Sequence, residues 1–358
     1  MGASDEKINK GWRGEDWKNL RRHVAEKGML RRQRSYICLL FCLVATGVIA
    51  TGISAAREPA EQSAVQDDLF SVASVPSGPW YAVGVAGTLL SSDDNGRTWN
   101  SRKIAEAQPF GWLDLYSIRF ADGKHGWISG EQGLILRTDD GGKTWKHQSS
   151  GVSEELYRLA PGDANDAIAV GTNGTILYTR DGGEHWQKEM QKGQLDYFDA
   201  TMSDATNGWV VGEYETVMHT SDGGQTWEIQ RGGKRANFRA AALFSVSFQD
   251  QDGMVAGQGG NLFSTTDLGK NWRSVPSTTD TSMYAARFSD SQIWIAGDDG
   301  TLLNTAPSGA QSVSIVHPTA ATLTDIGFKG STGIAVGLGG IILRTDDNGA
   351  HWHKVGRQ

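Results

Sequence analysis

The chain has 358 residues, including 46 Gly and 13 Trp against only 8 Pro, and a formal net charge of −7. That length allows two ordinary domains or one large one, and the many glycines and tryptophans point to a repeated unit with tight turns and aromatic anchors. Residues 1–35 hold ten Lys/Arg against five Asp/Glu, so the remainder is more acidic than the whole. That argues against a general nucleic-acid binder and against a domain that docks on anionic lipid.

In chain order, residues 1–35 read as a charged cytoplasmic tail. Trp12, Trp17, Leu20 and Val24 would suit a short interfacial helix, and a solvated tail is the plainer reading. Residues 36–56, YICLLFCLVATGVIATGISAA, carry no charge over 21 positions. At ~1.5 Å per residue a helix of that length covers ~30 Å, enough to span a bilayer. Arg31, Arg32 and Arg34 precede this run and Arg57 alone follows closely, which places the tail in the cytoplasm and the bulk of the chain outside. Ser54-Ala55-Ala56 would suit a cleaved signal peptide instead, and either reading exports residues 57–358. Cys38 and Cys42, the only cysteines, both lie in the apolar run, so the rest of the chain can form neither a disulfide nor a Cys-based metal site. Residues 57–68 are polar and read as a linker.

From residue 69 to 358 one pattern recurs seven times: a short apolar strand, a second strand ending in Gly, a third strand, and a box of the form [ST]-x-D-x-G-x-x-W. The strand-ending glycines are Gly84, Gly130, Gly171, Gly212, Gly257, Gly297 and Gly337. A period of ~40–45 residues with four short strands per unit predicts an all-β, seven-bladed β-propeller of four-stranded antiparallel blades, preceded by one N-terminal transmembrane helix. The boxes carry Asp94 and Trp99, Asp140 and Trp145, Asp181 and Trp186, Asp222 and Trp227, Asp267 and Trp272, and Asp347 and Trp352. The sixth unit has lost the box, with Pro307 for the Asp and Ser312 for the Trp. A carboxylate at a hairpin turn can accept backbone amides, Gly permits positive φ, and Trp can fill the gap between sheets. Six copies at one turn are scaffold; a catalytic group or metal ligand would be needed once.

These boxes are those of the Asp-box (BNR) repeats first described in bacterial neuraminidases. The longer phrase HGWISGEQGLILRTDDGGKTW resembles the photosystem II stability/assembly factor family, over roughly residues 69–356. The resemblance implies a seven-bladed propeller with no cofactor, whose partner is a membrane protein or nascent membrane subunit.

Within each blade the innermost strand follows the form L-Y-S-I-R-F. Simple alternation puts positions two, four and six between blades and positions three and five in the channel. Position three supplies Arg158, Asp199 and Asp325, and position five Arg119 and Arg287. These five form a candidate docking site for a polypeptide, because Arg can grip carboxylates or carbonyls through two hydrogen bonds. The alternative for the same residues is mutual neutralisation. The loop after the fourth blade, with Arg235 and Arg239, is a second candidate contact on an otherwise acidic domain.

The function these features favour is a non-catalytic, membrane-anchored scaffold that helps a membrane complex to assemble or persist. A transporter or exporter component is the alternative partner. Two other classes compete. A sialidase-like glycoside hydrolase would need three arginines with a Tyr–Glu pair and an acid. An envelope receptor for a small ligand or ion could use Asp298-Asp299-Gly300 as an oxygen-ligand turn.

Overall fold

A computed structural model describes residues 67–107, 112–190, 194–233, 240–289, 292–306 and 314–355. The tail, the apolar run 36–56, most of the 57–68 linker, and Arg235 and Arg239 lie outside the described residues. Among the described residues no helix is long and apolar enough to cross a membrane.

The described chain forms seven four-stranded antiparallel sheets, each built from four consecutive strands. We name the strands of each blade A to D from the axis outward. The A strands are Leu69–Ser74, Leu115–Phe120, Leu156–Pro161, Tyr197–Met202, Leu243–Gln249, Met283–Ser289 and Leu323–Lys329. Each packs beside the A strands of both neighbouring blades, so together they line a central bore. B strands such as Trp80–Gly84 and Gly126–Gly130 are buried at every position, as expected for strands covered on both faces.

No blade has a core of its own. Apolar side chains collect in seven clusters, one in each gap between adjacent blades. Each box Trp packs into the gap toward the preceding blade: Trp145 beside Tyr81 and Val83, Trp186 beside Trp127, Trp227 beside Ile168, Trp272 beside Trp209, and Trp352 beside Trp294. Trp99 fills the gap between the last blade and the first, against Ile334 and Val336.

Among the described residues no strand is exchanged to close the ring. The seam between blades one and seven is held by the cluster around Leu69, Trp80 and Val336 and by side-chain hydrogen bonds. Thr324 Oγ1 donates to the Leu69 carbonyl at 2.7 Å, Lys329 Nζ to the Gly78 carbonyl at 2.8 Å, and Arg344 Nε to the Asn95 carbonyl at 2.7 Å. Asp68 Oδ1 accepts the Gly339 amide at 2.7 Å, and Lys103 Nζ pairs with Asp67. These last two residues of the expected linker are therefore built into the ring.

The alternation of the A strand needs correction. In every blade the A–B pairing skips position two: Leu69 pairs with Gly84 and Ser71 with Val83, leaving Phe70 unpaired, and the same shift recurs at Tyr116, Tyr157, Phe198, Phe244, Tyr284 and Thr324. Such a bulge resets the phase of a strand. Positions one and four pack between blades, while position two joins none of the seven clusters and, in blades one to six, stands half-buried at the bore.

The bulge also explains the repeated strand-ending glycine. The carbonyl of the residue before each A strand lies against that glycine. A Cβ on Gly84 would stand 2.0 Å from the Asp68 oxygen, and one on Gly171 1.7 Å from the Glu155 oxygen. The amide after the glycine donates to the same carbonyl, as Val85 does to Asp68 at 3.0 Å and Thr172 to Glu155 at 3.1 Å. Gly84 itself is extended, with φ −167°, so close approach rather than backbone conformation demands glycine there.

Candidate functional site: the bore and its mouth

The boxes act as turn clamps. Asp140 Oδ1 accepts the Thr138 hydroxyl at 2.8 Å and the Thr144 amide at 2.9 Å, and Oδ2 accepts the Thr144 hydroxyl at 2.6 Å. Trp145 Nε1 donates to the Gly142 carbonyl at 3.1 Å. Asp94 repeats this with Ser92 and Thr98, Asp181 with Thr179 and His185, Asp222 with Thr220 and Thr226, Asp267 with Thr265 and Asn271, and Asp347 with Thr345 and His351.

Partial burial would raise Asp94 and Asp140, but the hydroxyl and amide of Thr98 and Thr144 outweigh it and hold both carboxyls at about 2. The His185 amide leads in bringing Asp181 to about 2, and the Asn271 side chain does so for Asp267. Each carboxyl thus lies below the ordinary 3.8 for Asp, so its contribution to stability is complete above pH ~4 and disappears as pH falls toward ~2. The thermal midpoint is expected to be nearly flat from neutrality to about pH 5 and to drop steeply below about pH 4. A midpoint still level at pH ~3 would contradict the clamp assignment.

The structure brings together the five charged residues expected in the bore. Asp325 is fully buried and receives Arg119 Nη2 at 3.0 Å, Arg287 Nη2 at 3.2 Å and Arg158 Nη1 at 3.6 Å. Asp199, also fully buried, faces Arg158 Nε at 2.6 Å and Arg287 Nη1 at 3.6 Å.

Two serines extend the cluster in matching ways. Ser71 Oγ donates to Asp325 Oδ2 at 2.9 Å and accepts from the Ile118 amide and from Arg119 Nη1. Ser245 Oγ donates to Asp199 Oδ2 at 2.9 Å and accepts from the Ala286 amide and from Arg287 Nη1. An Asp–Ser–Arg relay therefore crosses blades seven, one and two, and again blades four, five and six, with Arg158 of blade three reaching both carboxylates.

Burial alone would raise Asp325, but Arg119, Arg287 and Arg158, with the Val72 amide, bring it well below the usual carboxylate range. Burial and the neighbouring charge of Arg158 push Arg119 down to about 9 against the pull of Asp325. For Arg158, burial is outweighed by Asp199 and Asp325, which raise it. Three guanidiniums against two carboxylates leave one positive charge in excess.

Sequence reasoning missed the layer above this cluster. The bulged residues Phe70, Tyr116, Tyr157, Phe198, Phe244 and Tyr284 form an arc of rings around the bore. Their successive centroid separations are 5.7, 5.6, 6.0, 5.4 and 5.3 Å, and Thr324 of the seventh blade leaves the gap. The arc sits at the start of the A strands, on the face carrying the inter-blade links and the B–C turns. The Tyr116 hydroxyl donates to Glu155 at 3.1 Å and that of Tyr284 to Asp298 at 3.0 Å. The signal for this arc was an aromatic at position two in six of seven repeats, hidden by the assumption of strict alternation. Asp298 also accepts the Thr322 hydroxyl at 2.9 Å, so its carboxylate is engaged by two neighbours within the fold.

The sequence model of the photosynthesis system II assembly factor YCF48 family matches three overlapping stretches, residues 55–137, 113–195 and 192–282. Among solved structures, one of YCF48 bound to a D1 peptide is 22% identical with a TM-score of 0.65, covering 79% of this chain and 93% of that one. YCF48 from Cyanidioschyzon merolae is 20% identical with a TM-score of 0.64, covering 79% of this chain and 96% of that one. Virginiamycin B lyase from Staphylococcus aureus is 12% identical with a TM-score of 0.65, covering 78% of this chain and 94% of that one, so the same architecture also serves an enzyme. No curated protein matches the chain.

Proposed function

Because the chain belongs to the photosynthesis system II assembly factor YCF48 family, we propose that it is a non-catalytic scaffold that holds a segment of a membrane protein while a complex is assembled. The observation that carries this reading is the convergence of Arg119, Arg158 and Arg287 on only two carboxylates. The arginines are fixed in place before any partner arrives, and their excess charge suits an acidic side chain or a chain terminus. The relative bound to a D1 peptide supports a polypeptide as the occupant.

The uncharged run 36–56 supports a single membrane anchor with the propeller on the exported side and residues 1–35 in the cytoplasm. A subunit of a photosystem-like complex is the partner favoured by the family, and a transporter or exporter subunit is the alternative for a host without one. The basic loop holding Arg235 and Arg239 is a further candidate contact on the link face.

A glycosidase fits the geometry less well. Its acid needs a raised pKa, whereas Asp325 is held low by three arginines. The Tyr116–Glu155 contact resembles half of a sialidase-type site, but Tyr284 repeats it with Asp298, which marks it as a feature of the blade.

The test is photocrosslinking of the full chain in its native membrane, followed by identification of what it captures. Replacing Arg119 and Arg287 together by Gln is expected to cut capture of the main partner at least about tenfold, with the thermal midpoint recorded in parallel. An unchanged captured set from a folded variant would overturn the arginine cluster as the docking site.

A further inference from the structure

We propose a second site, at the link-face mouth of the bore, that binds a basic polypeptide segment through the arc of aromatic rings. It does not depend on the arginine cluster below, which selects the opposite charge.

The rings stand together at one opening of the bore. They lie outside all seven apolar clusters, touch one another from blade to blade, and are all half-buried. Natural β-bulges re-aim side chains, and here the same bulge aims an aromatic at one opening six times. Aromatic faces carry negative quadrupole density and attract ammonium or guanidinium groups within about 6 Å of the ring centre. Tyr116 and Tyr284 donate their hydroxyls to carboxylates, which polarises those two rings further in the same sense.

The surroundings select the sign of the charge. Fourteen positions frame the mouth: the residue before each A strand and the residue after each strand-ending glycine. Seven of these are acidic, namely Asp68, Asp114, Glu155, Asp196, Glu131, Glu213 and Asp298, and none is Lys or Arg. Several work within the fold, as where Asp114 Oδ1 accepts the Ala86 amide and Asp196 Oδ1 the Asn173 amide. Farther out, among the described residues, Lys188 pairs with Glu154 and Arg231 with Glu215. A basic segment is drawn to this rim. The arc extends over six blades, farther than one cation reaches, so the occupant that uses it is a chain bearing several Lys or Arg groups rather than a single ion.

The experiment titrates a labelled Arg–Gly repeat peptide into the full chain in neutral detergent, with a Glu–Gly repeat of equal length as the control. The Arg–Gly peptide is expected to bind with an affinity that falls as salt is raised, and the Glu–Gly peptide to bind at least about tenfold more weakly. Changing Tyr157 and Phe198 together to Leu preserves apolar bulk and removes two ring faces. That variant is expected to lose about tenfold in affinity for the Arg–Gly peptide while still unfolding cooperatively, and Tyr157→Phe, which keeps the ring, retains binding. Equal binding of the two peptides, or full binding by the folded Leu variant, would overturn the proposal. So would quantitative competition by a simple divalent cation, because that would make the rim an ion site. Acid capture by the arginine cluster is read by a different probe, so either site can fail alone.

Discussion

Changing Asp325 to Ala or to Asn is expected to destabilise the propeller by about 3–5 kcal/mol, measured by urea unfolding at neutral pH. The carboxylate is fully buried and is the meeting point of Arg119, Arg158 and Arg287. Removing it leaves guanidiniums that are at most slightly exposed facing one another, and the hydroxyl of Ser71 and amide of Val72 lose their acceptor. Asn keeps the shape but not the charge, so the two variants should suffer alike. Removing Arg97, whose exposed pair with Asp346 spans 3.9 Å, should cost only about 0–1 kcal/mol. A loss below about 1 kcal/mol at Asp325 would mean that the cluster is not the pin that its geometry makes it.

Gly171→Ala is expected to destabilise by about 3 kcal/mol or more, although the change adds one methyl group. Its Cβ would stand 1.7 Å from the Glu155 carbonyl oxygen, a backbone atom fixed by the bulge and by its bond from the Thr172 amide. Neither strand can yield without breaking the A–B pairing. Gly151→Ala is the contrast, since no atom lies within 4 Å of its Cβ position and only its positive φ of 71° opposes the change. Chemical unfolding of the pair separates steric from conformational cost, and equal losses would refute the carbonyl-contact explanation.

The blade count, the box clamps and the convergence of Arg119, Arg158, Arg287, Asp199 and Asp325 were legible because each is written in period: a residue type returns at a fixed offset, and geometry repeats with it. The strand-ending glycines were visible for the same reason, but their cause was not. That cause is a carbonyl from the residue before the A strand, brought close by a bulge that no composition signal marks. One unpaired residue moves the aromatics of position two from the gap between blades to the bore, and Phe70 and Tyr116 illustrate the cost of assuming an unbroken two-residue rhythm. Tyr116 and Glu155 are 39 positions apart on different blades, a neighbour relation that only the ring makes.

Each blade is one uninterrupted stretch of sequence, and among the described residues the seam borrows no strand from another blade. Every A strand begins on the same face of the ring. A circular permutant of the propeller beginning between blades four and five, with Leu69 and Val355 joined by a short linker, should therefore fold to the same ring of seven sheets. A permutant series would then show whether the ring can begin folding at any blade or needs the native first one.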